Sequence, residues 1–336
     1  MKVYLCVTLY HIYITLVKII SNRESKDDVV ILLNANNQQI FEQFKYIDKQ
    51  LKSNGYACDL RLRSKKNEVL GIERMNNRKQ LKLVQDLMRK KGHSGFTLYN
   101  FAWNNSYIYS TASLLYKKCD RAVFMEESAL IAKLPPEKNW KKMLHRIMGD
   151  RVDFYKDDKL SEIRVQRPET FPKEWKKKLT ILDLPGMIQK IEAKDKDAIL
   201  RIMSKDGGKL MNLLNEPDVG IVYTNPFSEQ NLVSEQEKVE YVLKMCRYYK
   251  KYGKVVVKLH PRDTTDYPLE CDISVLPASF PSELLALTGY RFKFAVAICS
   301  SAVNTTNAEY KVNMNENFLK DRKFVLKNIN GEIVEE

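Results

Sequence analysis

The chain has 336 residues, 44% of them hydrophobic, with 12 glycines and 11 prolines; this excludes a disordered or collagen-like protein and allows one large core or two domains. Lys and Arg outnumber Asp and Glu by 56 to 42, a net charge of +14, which favours polyanionic partners without choosing among nucleic acid, lipid head groups and phosphorylated substrates. The basic residues lie in separate clusters such as Lys65-Lys66 and Lys176-Lys177-Lys178, and no RNP-like motif, helix-turn-helix signature or zinc finger accompanies them, so nucleic acid is set aside as a partner.

The opening stretch 3–20 is largely apolar, but His11 and Lys18 interrupt it and no small-residue cleavage site follows. It divides into a strand, Val3–Thr8, and a helix opening near Leu9, with neither a signal peptide nor a membrane span expected. Further strand-like runs follow at Val29–Asn34, Phe96–Asn100 and Ala122–Met125, with helical patterns near 11–21, 37–53, 75–91 and 105–117. Such alternation predicts a parallel sheet covered on both faces. Residues 133–180 are rich in Lys, Glu and Pro; they predict a helix near 138–148, irregular strands and a crossing segment, with an interdomain hinge at 185–197.

Alternation then resumes. Val219–Tyr223 predicts a strand ending in Thr224-Asn225-Pro226, and 234–252 a helix with Val239, Val242, Leu243 and Cys246 inward. Lys254–Leu259 is a β-branched strand, followed by a short strand Ile273–Leu276, a helix Pro281–Leu287 and a strand Phe294–Cys299. The expected fold class is α/β with two Rossmann-like, doubly wound domains facing a central cleft. Their ranges are 1–190, which includes the irregular basic segment, and 191–336. Ligands of open α/β sheets bind beyond the carboxyl ends of the strands.

The six cysteines include no CxxC pair and predict buried free thiols in a reducing compartment; the four histidines show no metal-ligand spacing, and no metal is expected. The motif with most chemical content is KLHPRD, 258–263. A buried strand ends at His260, Pro261 biases that histidine away from helix, and Arg262 adds a cation. A histidine and an arginine at a strand end suit a phosphate. Pro281-Ser282-Glu283 then opens a helix, and Ser300-Ser301 ends the next apolar strand; backbone N–H groups and hydroxyls at such places add donors for an anion. Asp206-Gly207-Gly208-Lys209 lacks the spacing of a phosphate loop and predicts a helix stop.

The ordered series of strand with His-Pro, Pro-Ser-Glu, and strand with Ser-Ser resembles the C-terminal half of bacterial sialyltransferases of the lipooligosaccharide and capsule type, glycosyltransferase family 52-like enzymes of GT-B fold. TNPFSEQ, 224–230, resembles that family's turn after the first strand of this domain, and CVTLYHIYITLVKII its first strand-loop-helix; the likeness is strong from about 220 to 305. The resemblance implies that the second domain binds the CMP part of CMP-sialic acid. His260 would act on the phosphate as general acid, Pro261, Arg262, Ser300 and Ser301 would hold it, and Glu283 would contact ribose or base. It implies a base in the first domain, where the family has two acids and a glycine. Glu126-Glu127-Ser128 follows the strand there, with Ser in place of Gly, which makes Glu127 the candidate; Glu229 is the second.

The implied reaction is an inverting transfer of sialic acid to a terminal hydroxyl of a surface glycan. The acceptor would be a glycan or glycolipid, with galactose-terminated ones among the candidates, and no cofactor is required. The implied location is cytoplasmic, with peripheral association at an anionic membrane, and a homodimer is compatible with the sequence. Another nucleotide sugar as donor, or a non-catalytic nucleotide-sugar-binding role, are the alternatives.

Overall fold

The first strand, β1 (Lys2–Cys6), is apolar on both faces, and that places it inside a parallel sheet rather than at an edge. It pairs in parallel with β2 (Val29–Ala35) on one side and β4 (Thr97–Asn100) on the other. The computed structural model describes residues 1–62, 72–101, 111–126, 158–171, 173–205, 207, 216–300, 302–314 and 318–334. These form two compact units, Met1–Asp195 and Lys196–Glu336.

In the first unit Thr8 adopts an extended backbone and its hydroxyl accepts the His11 N–H at 3.2 Å, which starts α1 (Leu9–Ser21). Lys18, buried on this helix, is neutralised by Glu24 at 2.5 Å and donates to the Tyr4 hydroxyl at 2.8 Å. The helices α2 (Gln38–Ser53), α3 (Ile72–Lys90) and α4 (Thr111–Lys118) alternate with β3 (Ala57–Leu62), β4 and β5 (Arg121–Met125). Two further strands, β6 (Leu160–Val165) and β7 (Leu179–Ile181), complete a seven-stranded parallel sheet of order β3-β2-β1-β4-β5-β6-β7. The division between the units, after Asp195, falls within the segment 185–197 expected as a hinge, which is largely helical, as α5 (Leu184–Gln189) and α6 (Ala193–Met203). The helix expected near 138–148 lies outside the described residues.

The second unit opens with β8 (Val219–Tyr223), which is wholly buried. Gly220 is required there: a Cβ would lie 2.1 Å from the Phe294 ring. Helix α7 (Glu235–Tyr249) starts at a capping box in which the Ser234 hydroxyl accepts the Glu237 N–H at 3.1 Å and the Glu237 carboxylate accepts the Ser234 N–H at 2.8 Å. Then come β9 (Lys254–Lys258), β10 (Ser274–Leu276), the four-residue α8 (Leu285–Thr288), β11 (Phe292–Ile298), the four-residue α9 (Ala302–Thr305), β12 (Ala308–Met314) and α10 (Phe318–Asp321). The sheet is parallel throughout, in the order β10-β9-β8-β11-β12. Both sheets therefore reverse direction of growth next to their first strand, between β1 and β4 and between β8 and β11, the positions at which open α/β sheets bind ligands.

All six cysteines are free; Cys6, Cys119 and Cys246 are buried, whereas Cys271, expected inside, is exposed. Among the described residues no helix is long and apolar enough to cross a membrane.

Candidate active site

The residues singled out in the second half of the chain follow the carboxyl ends of neighbouring parallel strands and so share one edge of the sheet. Thr224 and Asn225 follow β8, His260 and Arg262 follow β9, Glu283 follows β10, and Ser300 follows β11.

The Thr224 N–H donates to the Lys258 carbonyl at 3.1 Å and extends the β8–β9 ladder by one rung. Its hydroxyl accepts the His260 N–H at 2.9 Å and donates to the Asp263 carboxylate. The Asn225 amide donates to the Ile298 carbonyl and ties the end of β8 to the end of β11 across the switch point.

The His-Pro-Arg-Asp segment forms a tight turn, closed by the Asp263 N–H on the His260 carbonyl at 2.9 Å. Inside it the Arg262 N–H donates to His260 Nδ1 at 3.1 Å. A ring that accepts at Nδ1 and is neutral carries its proton on Nε2. Partial burial, then the positive charges of Arg262 and Lys258, push the His260 pKa down and keep the ring neutral. The turn thus presents a neutral imidazole with an Nε2–H donor among cations.

Lys258 itself is buried, its ammonium held by the carbonyls of Leu259 and Pro277, the latter at 3.3 Å. Burial pushes its pKa down to about 8, against the pull of Glu283 and Asp263. Glu283 is half-buried in a 3-10 turn, Ser282–Leu284, that begins at Pro281. The helix expected over 281–287 is found as this 3-10 turn followed by the four residues of α8, and Gly289, with φ 66°, ends it. What this segment offers is the Glu283 carboxylate and not a helix dipole.

At the end of β11 the chain bends through Cys299 with φ 48°, a left-handed conformation uncommon for a residue with a side chain. The bend is held by Asn313, which accepts the Ser300 N–H at 3.1 Å and donates to the Ser300 carbonyl at 3.1 Å. The Ser300 hydroxyl accepts the Ala302 N–H at 3.4 Å and retains its own proton for donation. Ser301 lies outside the described residues.

Glu229 proves to be a structural carboxylate. Both its oxygens take hydrogen bonds from the buried Lys238 ammonium, at 2.9 and 2.8 Å, and one also accepts the Thr264 N–H at 2.8 Å. Burial would raise its pKa, but these donors hold it down at about 2, far from the range of a useful base at neutral pH. In the first unit Glu126 stands at the end of β5, buried, with its carboxylate accepting the Gln166 N–H. Burial raises its pKa, in the direction a general base requires. Glu127 and Ser128 lie outside the described residues. Sequence reasoning missed Asn225, Lys238, Asp263 and Asn313. Its available signal was a lysine standing in the apolar stripe of α7.

A family model for glycosyltransferase family 52 matches residues 139–315, more than half of the chain, and takes in every strand end of the second unit just described. The chain belongs to glycosyltransferase family 52. This family 52 chain is also 27% identical over 194 residues to an uncharacterized protein of Haemophilus influenzae. That match covers 57% of this chain and 61% of the other, so the chain spans about three fifths of the length of that relative. Its fold is similar to that of an α/β-galactoside α-2,3-sialyltransferase from the luminous marine bacterium Photobacterium phosphoreum. The TM-score is 0.56 at 12% identity, over 93% of this chain and 89% of that one.

Proposed function

We propose that this family 52 chain is an inverting sialyltransferase, taking sialic acid from CMP-sialic acid to a terminal hydroxyl of a surface glycan of capsule or lipooligosaccharide type. The observation that carries the donor side is the neutral His260 ring with its Nε2–H, beside Arg262 and Lys258 at the carboxyl edge of a parallel sheet.

When the bond between sialic acid and CMP breaks, negative charge gathers on the phosphate. The His260 Nε2–H meets it as a hydrogen-bond donor; proton transfer from an imidazolium is disfavoured by the burial and the cations that keep the ring neutral. Arg262 adds charge, Ser300 and Ser301 add hydroxyl donors, Pro261 shapes the turn, and Glu283 accepts from ribose or base. Glu127 removes the proton of the acceptor hydroxyl. Fixed donors and cations do the phosphate's electrostatic work, and no metal is needed for it. Similarity in fold to the Photobacterium enzyme, which acts on α/β-galactosides, supports a galactose-terminated acceptor.

A ligand that binds only the folded state raises its melting temperature. CMP is therefore expected to raise the melting temperature of this protein more than UDP or GDP at equal concentration. A response to UDP alone would assign a different nucleotide sugar. Ser128, in the place the family gives to glycine, favours one further reading, nucleotide-sugar binding without transfer. A CMP response with neither transfer nor donor hydrolysis would select it.

A further inference from the structure

Behind the His-Pro turn lies a buried polar network that the proposed chemistry does not use. The Lys238 side chain, 2% exposed, bridges Asp263, wholly buried, at 2.9 Å and Glu229 at 2.8 Å. Asp263 also accepts the Thr265 N–H at 3.1 Å and the Tyr267 hydroxyl at 2.8 Å, and it receives the Thr224 hydroxyl proton. Thr224, so oriented, must offer its lone pair to the His260 N–H. Glu229 holds the Thr264 N–H on the far side of the turn. A buried Lys238–Asp263 ion pair, joined by the more exposed Glu229, is not an economical source of stability, since apolar residues of similar volume usually serve as well. What they do fix is direction: each member is satisfied only when the 224–229 segment and the 260–265 turn keep one relative placement.

We infer that Lys238, Asp263 and Thr224 are positioning residues for His260. The ion pair orients the Thr224 hydroxyl, Thr224 anchors the His260 backbone, and the anchored turn brings the Arg262 N–H onto Nδ1, which leaves the proton on Nε2. The inference rests on the donor reading only for its effect on turnover; its effect on the imidazole is independent of what the protein binds.

Lys238→Met strands a buried carboxylate and is expected to unfold part of the population, so the decisive variant is Thr224→Val. It keeps shape and leaves the ion pair in place while removing the hydroxyl. In the unliganded protein, ring 15N chemical shifts of His260 are expected to report the Nε2–H tautomer in the wild type. Thr224→Val is expected to give a mixture of tautomers, and Thr224→Ser the wild-type pattern again. With CMP-sialic acid, Thr224→Val is expected to lower kcat by roughly tenfold to a hundredfold, the scale of a small misplacement, with little change in donor KM. Thr224→Ser is expected to restore it. A wild type inactive with CMP-sialic acid whose tautomer still responds to Thr224→Val would support the network and reject the donor. Wild-type tautomer in Thr224→Val overturns the inference, whether kcat is unchanged or falls only in step with lost folded protein.

Discussion

His260 gains its character from three neighbours rather than from its own position in the sequence. Arg262 fixes the tautomer through its N–H, Lys258 and Arg262 together disfavour the imidazolium, and Thr224 holds the backbone. On the proposed function, His260→Ala removes a donor to the leaving phosphate as charge develops there, and turnover is expected to fall by about 10²–10³. CMP binding, measured by calorimetry, is expected to weaken less, because Arg262 and Ser300 remain. Glu127→Gln is expected to spare CMP binding and reduce turnover by about 10²–10⁴, the contribution of a general base. Should Glu126→Gln abolish transfer while Glu127→Gln leaves it intact, the base is the buried member of the pair. The residues proposed for the donor side, His260, Arg262 and Ser300, were legible as candidates because they closely follow apolar runs that become strands. The supporting residues were not, since nothing local marks Asp263 or Asn313 as the partner of a site residue.

Helix α7 shows how a pattern misleads by one step. Its apolar periodicity faces Val239, Val242, Leu243 and Cys246 inward. The buried stripe is Lys238, Val242, Met245, Cys246 and Tyr249, with Val239 and Leu243 only half-buried. A lysine is an implausible stripe member until Asp263, 25 residues later in the chain, is folded against it. Strands β3 and β12 escaped notice for a related reason: half-buried and rich in polar residues, they lack a continuous apolar run. The Lys238 network also gives the second unit a defined acid limit. The Glu229 carboxyl lies near 2 when folded, against an ordinary value of 4.5. Its contribution is therefore complete above about pH 4.5 and is lost as pH falls through about 2. Circular dichroism of Glu229→Gln is expected to show lower stability at neutral pH and a shallower loss across that acid range. An acid limb unchanged from the wild type would assign the transition to other carboxylates.

Across the whole chain the surplus of 14 positive charges belongs to no single patch in the sequence. Some of the basic residues are held in ion pairs, which leave the surplus unchanged: Lys45 pairs with Glu42, Lys250 with Glu270 and Asp272, and Lys293 with Glu309. The net excess is available to an anionic surface, where each well-placed cation contributes about 1 kcal/mol. If the acceptor is carried on a membrane, the protein is expected to cosediment with vesicles containing anionic lipid and to be released as salt rises past the Debye regime. Sedimentation indifferent to both lipid charge and salt would leave the charge a role in solubility alone.

Strand-forming runs such as Val29–Ala35 and Lys254–Lys258 were readable in advance because a strand buried on both faces is written as consecutive apolar residues. The polar residues that end them were readable for the same reason, as interruptions. Strand order, the parallel pairing of β8 with β11 at the switch point, the Asn225 bond over it and the Lys238–Asp263 network were decided only by tertiary structure. Burial of an apolar side chain is encoded at its own position. The meaning of a buried charge or a histidine tautomer is set by groups that only folding brings within hydrogen-bonding distance.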